Sequence, residues 1–184
     1  MVVEYEKVIV MDLEATCWED EKPPLDEIQE VIEVGFCLLD PATGEITDKR
    51  SILVKPRHSR IGEFCTKLTS IKETDVADAP YFDRACSILK SDYLSLTRPW
   101  ASYGEFDRKL LASQCQRLGI PYPMSDVHFN IKGLTALFTK TRRAPGMGVM
   151  LERFGLKFEG RPHRGVDDAF NAARLLHKMI PEVA

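Results

Sequence analysis

Two acidic residues lie two positions apart in a segment that is otherwise apolar. Asp12 and Glu14 follow residues 8–11, which have the nearly continuous hydrophobicity of a strand covered on both faces. Side chains alternate along a strand, so we expect both carboxylates on one side of the sheet. Two buried carboxylates repel each other, and a hard divalent cation would neutralise them. The alternative is a strand end at which both acids contact water.

A second group of polar residues combines a histidine with two acids. His163 is followed after five residues by Asp168, with Asp167 just before it. An acid in the first turn of a helix is favoured by the helix dipole, which would hold Asp168 in place. Histidine gains and loses a proton near neutral pH, so a base next to a fixed metal ligand could activate water. Alternatively, the two acids only begin a helix and His163 is a loop residue with no catalytic role.

Asp107 is the third acidic position that could take part in this chemistry. It follows a short strand predicted at residues 99–103 and opens a helix, a position that fixes a carboxylate at the edge of a sheet. By itself it could equally be an acid that favours a helix N-terminus. Three separate acidic sites, each at a strand or helix end, together favour a metal site.

The elements that position these residues are strands early in the chain and helices later. We expect strands at residues 7–14, 31–39 and 51–55, with a tight turn at 40–45 joining antiparallel neighbours. The capping-box spacing of Ser70 and Glu73 predicts a short helix that starts at Ser70. Hydrophobic spacing predicts further helices from about residue 78 and at residues 106–118, 131–139, 148–154 and 167–179. The pattern predicts one α/β domain, residues 1–184, with a mixed sheet.

Composition limits the classes of function and the cellular setting. The net charge of -3 over 184 residues does not indicate a bulk nucleic-acid binder, so a polyanion would need a local basic patch and bound cations. Five widely spaced cysteines without a CxxC pair argue against a disulfide framework or a zinc knuckle. Reduced thiols, together with Glu4 and Glu6 where a signal peptide would be apolar, predict a cytoplasmic protein. No apolar run approaches the roughly 18 residues of a membrane span, so no membrane partner is expected.

The acidic segments and the histidine resemble those of a known enzyme superfamily. The stretch from Asp12 to Cys17, the Asp107 segment and the His163 to Asp168 spacing resemble the DEDD exonucleases, in the histidine-containing DEDDh branch. Within that branch the chain is similar to the histone-mRNA 3′-end and RNA-interference-suppressing exonucleases. The further matches, in order from residue 7 to 180, are at residues 30–33, 64–69, 114–115, 150–151, 160–163 and 165–168.

The resemblance implies a fold, a cofactor and a reaction. The fold would be a ribonuclease-H-like mixed sheet flanked by helices. Two Mg²⁺ or Mn²⁺ ions would be held by Asp12, Glu14, Asp107 and Asp168, and His163 would take a proton from the attacking water. Catalysis is assigned to His163 and Glu14. The substrate would be the 3′ end of a single-stranded nucleic acid, RNA favoured over DNA, and the product a nucleoside 5′-monophosphate.

The resemblance also implies how the substrate is held. Asp167 would be a solvent-exposed neighbour of the metal ligand. Relatives commonly have Trp before the third acid, where this chain has Phe106, and Phe64 matches a second stacking position; core packing is the alternative for both rings. Relatives usually read Leu-Thr-Gly where this chain has Ser70, which could alter the fit to a nucleotide. The implied substrate-binding residues are Ala15, Phe64, Leu68, Thr69, Phe106 and Arg161.

Charge and length bear on the substrate, and two other functions stay open. Residues 140–164 hold seven bases and two acids, and we favour contact with a phosphate backbone over a merely solvated face. The chain has no room for the extra amino-terminal nucleic-acid module of some relatives, so stem-loop recognition of their kind is not expected.

A regulatory module that binds nucleic acid or protein without cleavage is one alternative. An oligoribonuclease-like enzyme for very short oligonucleotides is another.

Overall fold

A five-stranded mixed sheet forms the centre of the protein. The computed structural model describes residues 6–20 and 22–183, so Glu4 and the outermost residues of the predicted domain lie outside the described part. The strands are β1 (Val8–Ala15), β2 (Val31–Leu39), β3 (Ile46–Leu53), β4 (Trp100–Ser102) and β5 (His128–Asn130). Their order is β3-β2-β1-β4-β5. The β1–β2 and β2–β3 pairs are antiparallel, whereas β1–β4 and β4–β5 are parallel, which confirms the predicted α/β class with a mixed sheet.

Helices cover the two faces of this sheet. They are α1 (Glu63–Thr69), α2 (Phe82–Tyr93), α3 (Phe106–Leu118), α4 (Ile131–Thr139), α5 (Met147–Arg153) and α6 (Gly165–Val183). One core joins Ile9, Met11 and Leu13 of β1 to α2 and α3. The other joins Val8 and Val10 to α4, α5 and α6. Strand alternation thus assigns the even-numbered residues of β1, Asp12 and Glu14 among them, to the face that carries α6. Within the described residues, none of the helices has both the length and the hydrophobicity of a membrane span.

Two glycines let the start of α6 lie directly on the sheet. Gly35 of β2 pairs with Asp12 of β1. A Cβ on Gly35 would lie 1.9 Å from the carbonyl carbon of Gly165, and a Cβ on Gly165 would lie 2.8 Å from the backbone oxygen of Asp12. Real side chains do not approach backbone that closely, so both positions require glycine. The close contact brings the first turn of α6, which carries Asp168, next to Asp12.

The structure corrects one predicted helix and adds a helix and a strand. No helix starts at Ser70: that residue ends α1 in the left-handed conformation, with φ of 63°, and donates its N–H to the carbonyl of Thr66. The prediction was wrong because Glu73 accepts the backbone N–H of Ile61 and caps nothing. Helix α1 itself was not predicted. Nor was β5, which is only three residues long, while β3 begins five residues before its predicted start.

Candidate active site

Three of the predicted acids meet at the end of β1. Asp12 and Glu14 extend from the β1 face that α6 covers, and Asp168 lies in the first turn of α6. Carboxylate oxygens of these three residues all lie within 4.8 Å of one another. Oxygen ligands at this separation suit a hard divalent cation.

Asp107 reaches the same site from the other face of the sheet. It is the second residue of α3 and is 4% exposed. Its Oδ1 accepts the backbone N–H of Leu13 at 2.9 Å, which fixes the carboxylate beside the strand. Asp107 therefore lines one cavity of about 300 Å³ together with Asp12, Glu14 and His163.

Burial and mutual repulsion make these carboxyls hard to ionise. Burial is the largest cause for each residue, and it raises the pKa of Asp12 well above its ordinary value and that of Glu14 to about 8. Carboxylates nearby, Asp168 and Asp107 among them, raise both values further. Burial also raises the pKa of Asp107 and of Asp168 to about 6, although hydrogen bonds from backbone N–H groups oppose the shift. The neighbouring charges that shift Asp12 and Glu14 are all negative, so a cation is the missing partner.

Arg164, the residue after His163, already pairs with another buried acid. Glu33 of β2 is fully buried and pairs with Glu14 in the sheet register. Its carboxylate accepts hydrogen bonds from Nε of Arg164 at 3.2 Å, from the backbone N–H of Gly165 at 3.0 Å and from the hydroxyl of Ser51 at 2.6 Å. Glu33 thus ties the start of α6 to β2 and leaves the three-carboxylate cluster without the Arg164 charge. The cluster fits a divalent metal ion.

His163 lies at the cavity on a tightly held loop. It is exposed and adopts φ of 62°, a left-handed backbone that needs support from its surroundings. After it, the carboxylate of Asp168 accepts the backbone N–H of Arg164 at 3.1 Å. Before it, the carboxylate of Asp167 accepts the backbone N–H of Arg161 at 2.9 Å. The two consecutive acids of α6 therefore hold the chain on both sides of His163.

Asp167 is not the solvent-exposed neighbour that the sequence predicts. Its side chain is 19% exposed, and Lys49 of β3 pairs with it at 2.7 Å. This partner comes from a strand more than a hundred residues away in sequence, so local sequence gave no sign of it. One turn further along α6, buried Asn171 binds both the N–H and the carbonyl of Glu159, at 3.0 and 2.8 Å. Asp167 and Asn171 together position the segment that leads to His163.

The two phenylalanines are at the surface, which decides against core packing. Phe106 is 51% exposed and lines the cavity that holds the acids. Phe64 is 39% exposed and lines an adjoining cavity of about 390 Å³. Leu68 lines both cavities, and Ala15 lines the first. Three further residues at the cavities, which the sequence did not single out, are Cys17, Gln29 and Tyr103.

Two of the predicted substrate-binding residues are not brought to the cavity. Thr69 is fully buried, and its hydroxyl bonds the carbonyl of Cys65 at 2.8 Å and the N–H of Ile71 at 3.1 Å. It serves the end of α1, so its side chain is unavailable to a ligand. Arg161 is exposed and lies outside both cavities, two residues before His163.

Comparison with known proteins places the chain in a family. Residues 9–176 match the family model described as exonuclease (RNase_T). The chain belongs to the exonuclease family. That family accounts for the acidic cluster, and the DEDDh resemblance seen in the sequence is confirmed.

Several relatives of this exonuclease-family chain are named for their activity. The human 3′-5′ exoribonuclease 1 is 32% identical over 191 residues, which cover 97% of this chain and 53% of that protein. The Drosophila melanogaster 3′-5′ exonuclease Snipper is 30% identical over 205 residues, covering 98% of this chain and 71% of that protein. The chain thus spans about half the length of the first exoribonuclease relatives it matches.

A solved relative has the same fold. The nuclease domain of 3′hExo, a DEDDh family member bound to rAMP, superposes with a TM-score of 0.83 at 30% identity, covering 97% of this chain and 93% of that one. A second structure, described as 3′-end specific recognition of a histone mRNA stem-loop by 3′-exonuclease, has a TM-score of 0.83 at 29% identity and covers 98% and 84%. These matches confirm the predicted ribonuclease-H-like fold.

Proposed function

We propose that this chain is a 3′-to-5′ exonuclease that removes nucleoside 5′-monophosphates from single-stranded ends, with RNA favoured over DNA. The observation that carries the proposal is the meeting of Asp12, Glu14 and Asp168 within 4.8 Å of one another, at a cavity that Asp12 and Glu14 line together with His163 and Phe106. The preference for RNA draws support from relatives whose names specify exoribonuclease. A cytoplasmic location, suggested by five unpaired cysteines, is part of the same proposal.

The carboxylates of Asp12, Glu14, Asp107 and Asp168 would hold two divalent ions, Mg²⁺ or Mn²⁺. Bound there, the ions would supply charge neutralisation at the scissile phosphate and acidify the attacking water. The raised pKa values of these acids support the assignment, because burial and repulsion leave the cluster in need of positive charge.

His163 would act as the general base. Its exposure at the cavity lets the imidazole accept the proton of the attacking water and pass it to solvent. The backbone around it is fixed by Asp167 and Asp168, which limits the positions that the ring can take. Attack on the terminal phosphodiester breaks the bond to the 3′ oxygen of the preceding nucleotide, and the phosphate leaves on the released nucleotide.

The terminal base would lie between apolar side chains. Phe106 and Phe64 offer exposed ring faces on either side of Leu68, and stacking on an aromatic ring contributes about 1–3 kcal/mol per base. Such contacts are tolerant of sequence, because every base has a flat face. Ala15 would leave room for the sugar near the acids.

A substrate panel tests the proposal. Single-stranded RNA, single-stranded DNA and duplexes with and without 3′ overhangs, each labelled at the 5′ end, are incubated with Mg²⁺ or Mn²⁺. We expect ladders that shorten from the 3′ end, fastest for single-stranded RNA and slowest for blunt duplexes. Cleavage of none of these substrates with either metal would overturn the proposed activity. Faster cleavage of DNA would overturn the preference alone.

A further inference from the structure

The α4 helix and the loop after it form a one-sided patch of positive charge. Residues 131–151 contain four bases and no acid. The bases are Lys132 near the start of α4 and Lys140, Arg142 and Arg143 at its end, and all four are exposed. None forms an ion pair within the described part of the chain. We call these four residues the α4 basic patch.

Stabilisation of α4 through the helix dipole does not explain the α4 basic patch. Cations near the C-terminus of a helix are favoured by the helix dipole, which could account for Lys140. Lys132 is the second residue of α4, where the same dipole disfavours a cation. Arg142 and Arg143 lie beyond the last turn. The helix dipole therefore does not account for three of the four charges.

The patch begins beside the candidate active site. A Cβ on Gly104 would lie 3.7 Å from Cδ of Lys132, so the lysine stem runs along the loop that leads to Asp107. Lys132 and Lys140 are eight residues apart on one side of α4, which corresponds to about 12 Å. The patch thus extends outward from the cavity along a helix.

The far end of the patch is held in a defined conformation. Tyr103, which lines the active-site cavity, donates its hydroxyl to the carbonyl of Pro145 at 2.7 Å. Thr141 shares a hydrogen bond with the Thr139 hydroxyl at 2.7 Å and donates to the carbonyl of Arg143 at 3.1 Å. These contacts place the cations on a rigid loop that is tied to the cavity wall.

Exposed apolar surface lies among the charges. Leu137, between Lys132 and Lys140 on α4, is 68% exposed. It shares an open depression of about 560 Å³ with Lys140 and Arg142. Phosphates paired with the cations and bases lying on the apolar side chain together match a single nucleic-acid strand.

We propose that the α4 basic patch binds the phosphates of the substrate strand on the 5′ side of the nucleotide being removed. The inference rests on the proposed function, because it places the 3′ end of the strand in the cavity. A stacked strand carries one phosphate about every 3.4 Å, so the 12 Å stretch of α4 spans roughly three phosphates. The patch would therefore make affinity depend on strand length and on salt.

A pair of matched double variants tests the patch. Arg142→Gln with Arg143→Gln removes two charges from it, and Arg84→Gln with Lys90→Gln removes two from α2, on the other face of the sheet. Binding of a fluorescent 20-nucleotide single-stranded RNA is measured by anisotropy in EDTA from 50 to 200 mM salt. Turnover of the same RNA and of a dinucleotide is measured separately with Mg²⁺.

The patch variant is expected to bind the long strand about tenfold more weakly at low salt. Its plot of log affinity against log salt should be less steep by about 1.4, or 0.7 for each lost phosphate contact. The α2 variant should match the wild-type protein, and the ratio of long-strand to dinucleotide turnover should fall only for the patch variant. Equal affinities and equal salt slopes for the two double variants would overturn the proposal that the α4 basic patch binds phosphates. Wild-type binding without any turnover would overturn the proposed function and leave the patch standing.

Discussion

At the residue scale, Asp167 illustrates how a side chain that touches no reacting atom can affect a reaction. It holds Arg161 on the approach to His163, while its neighbour Asp168 belongs to the cluster of three carboxylates. We expect Asp167→Ala to lower kcat about 10- to 100-fold with little change in KM, because the base loses its position while the substrate contacts remain. Steady-state kinetics on single-stranded RNA measures this.

A second acid provides the matched control for Asp167. Asp83 forms an ion pair with Arg57 at 2.8 Å, as Asp167 does with Lys49, and lies on α2 away from the cavity. Asp83→Ala should leave kcat within about twofold of the wild-type value, since an exposed ion pair contributes at most about 1 kcal/mol. Equal kcat values for the two variants would show that Asp167 does not position the base.

At the element scale, the contact between α6 and β2 decides whether the acids can meet. Gly35→Ala would insert a methyl group 1.9 Å from the backbone of Gly165. We expect the free energy of unfolding to fall by about 1–3 kcal/mol or more, with loss of activity, because α6 must move away from Asp12. Urea unfolding followed by circular dichroism measures the change. Gly148→Ala in α5, where a Cβ meets nothing within 4 Å, should instead be neutral or slightly stabilising.

The end of α1 gives a prediction of opposite sign. Ser70 adopts φ of 63°, a conformation that glycine enters without strain. We therefore expect Ser70→Gly to raise the free energy of unfolding by about 0.5–1 kcal/mol. Ser91→Gly, in an exposed position of α2, should lower it by about 0.5 kcal/mol. A destabilising effect of Ser70→Gly would show that the serine hydroxyl matters more than the backbone conformation.

At the scale of the whole molecule, the acid cluster links stability to pH and to metal. In the metal-free protein the pKa of Glu14 is raised from 4.5 to about 8. A carboxyl with a raised folded-state pKa stabilises the fold below its unfolded pKa and loses that contribution as pH rises to the folded value. Asp107 and Asp168, raised from 3.8 to about 6, act in the same direction at lower pH.

We therefore expect the metal-free protein to lose stability progressively between about pH 4 and pH 8. Thermal unfolding in EDTA across this range measures the loss. Divalent metal should raise Tm most at the alkaline end, and Glu14→Gln should flatten the metal-free profile above pH 5. A profile that is the same for wild type and Glu14→Gln would contradict the raised pKa.

Periodic and local features of the fold could be predicted from the sequence. The apolar runs of β1 and β2 and the helical spacing of α3 and α4 gave their positions, because burial imposes a period on the residues. Helix α1 starts at Glu63, after Gly62, which provides no side-chain cap, and β5 has three residues, so neither carried a signal of that kind. Ser70 was misread because its spacing to Glu73 fits a helix start as well as the loop that Glu73 actually stabilises.

The acids of the candidate site could be predicted from the sequence better than the residues that surround them. Asp12, Glu14 and Asp168 meet as the sequence predicts, and Asp107 lines the same cavity as Asp12 and Glu14 without belonging to the group within 4.8 Å. Glu33 was visible only as an acid in an apolar strand, since its partner Arg164 lies 131 residues away. The burial of Asp167 likewise depends on Lys49, and contacts of this range follow from the fold alone.

Release of mononucleotides by the wild-type protein and by an Asp12→Ala variant is the most direct measurement of whether this chain is a metal-dependent 3′-to-5′ exonuclease. A single-stranded RNA is incubated with Mg²⁺ or Mn²⁺, and products are separated by chromatography; Asp92→Ala, an exposed acid on α2, serves as the control. We expect nucleoside 5′-monophosphates to be released in order from the 3′ end, and a rate at least about a hundredfold lower for Asp12→Ala, since metal-ion stabilisation amounts to several kcal/mol. Release from the 5′ end, 3′-phosphate products, or an Asp12→Ala variant as active as Asp92→Ala would contradict this expectation.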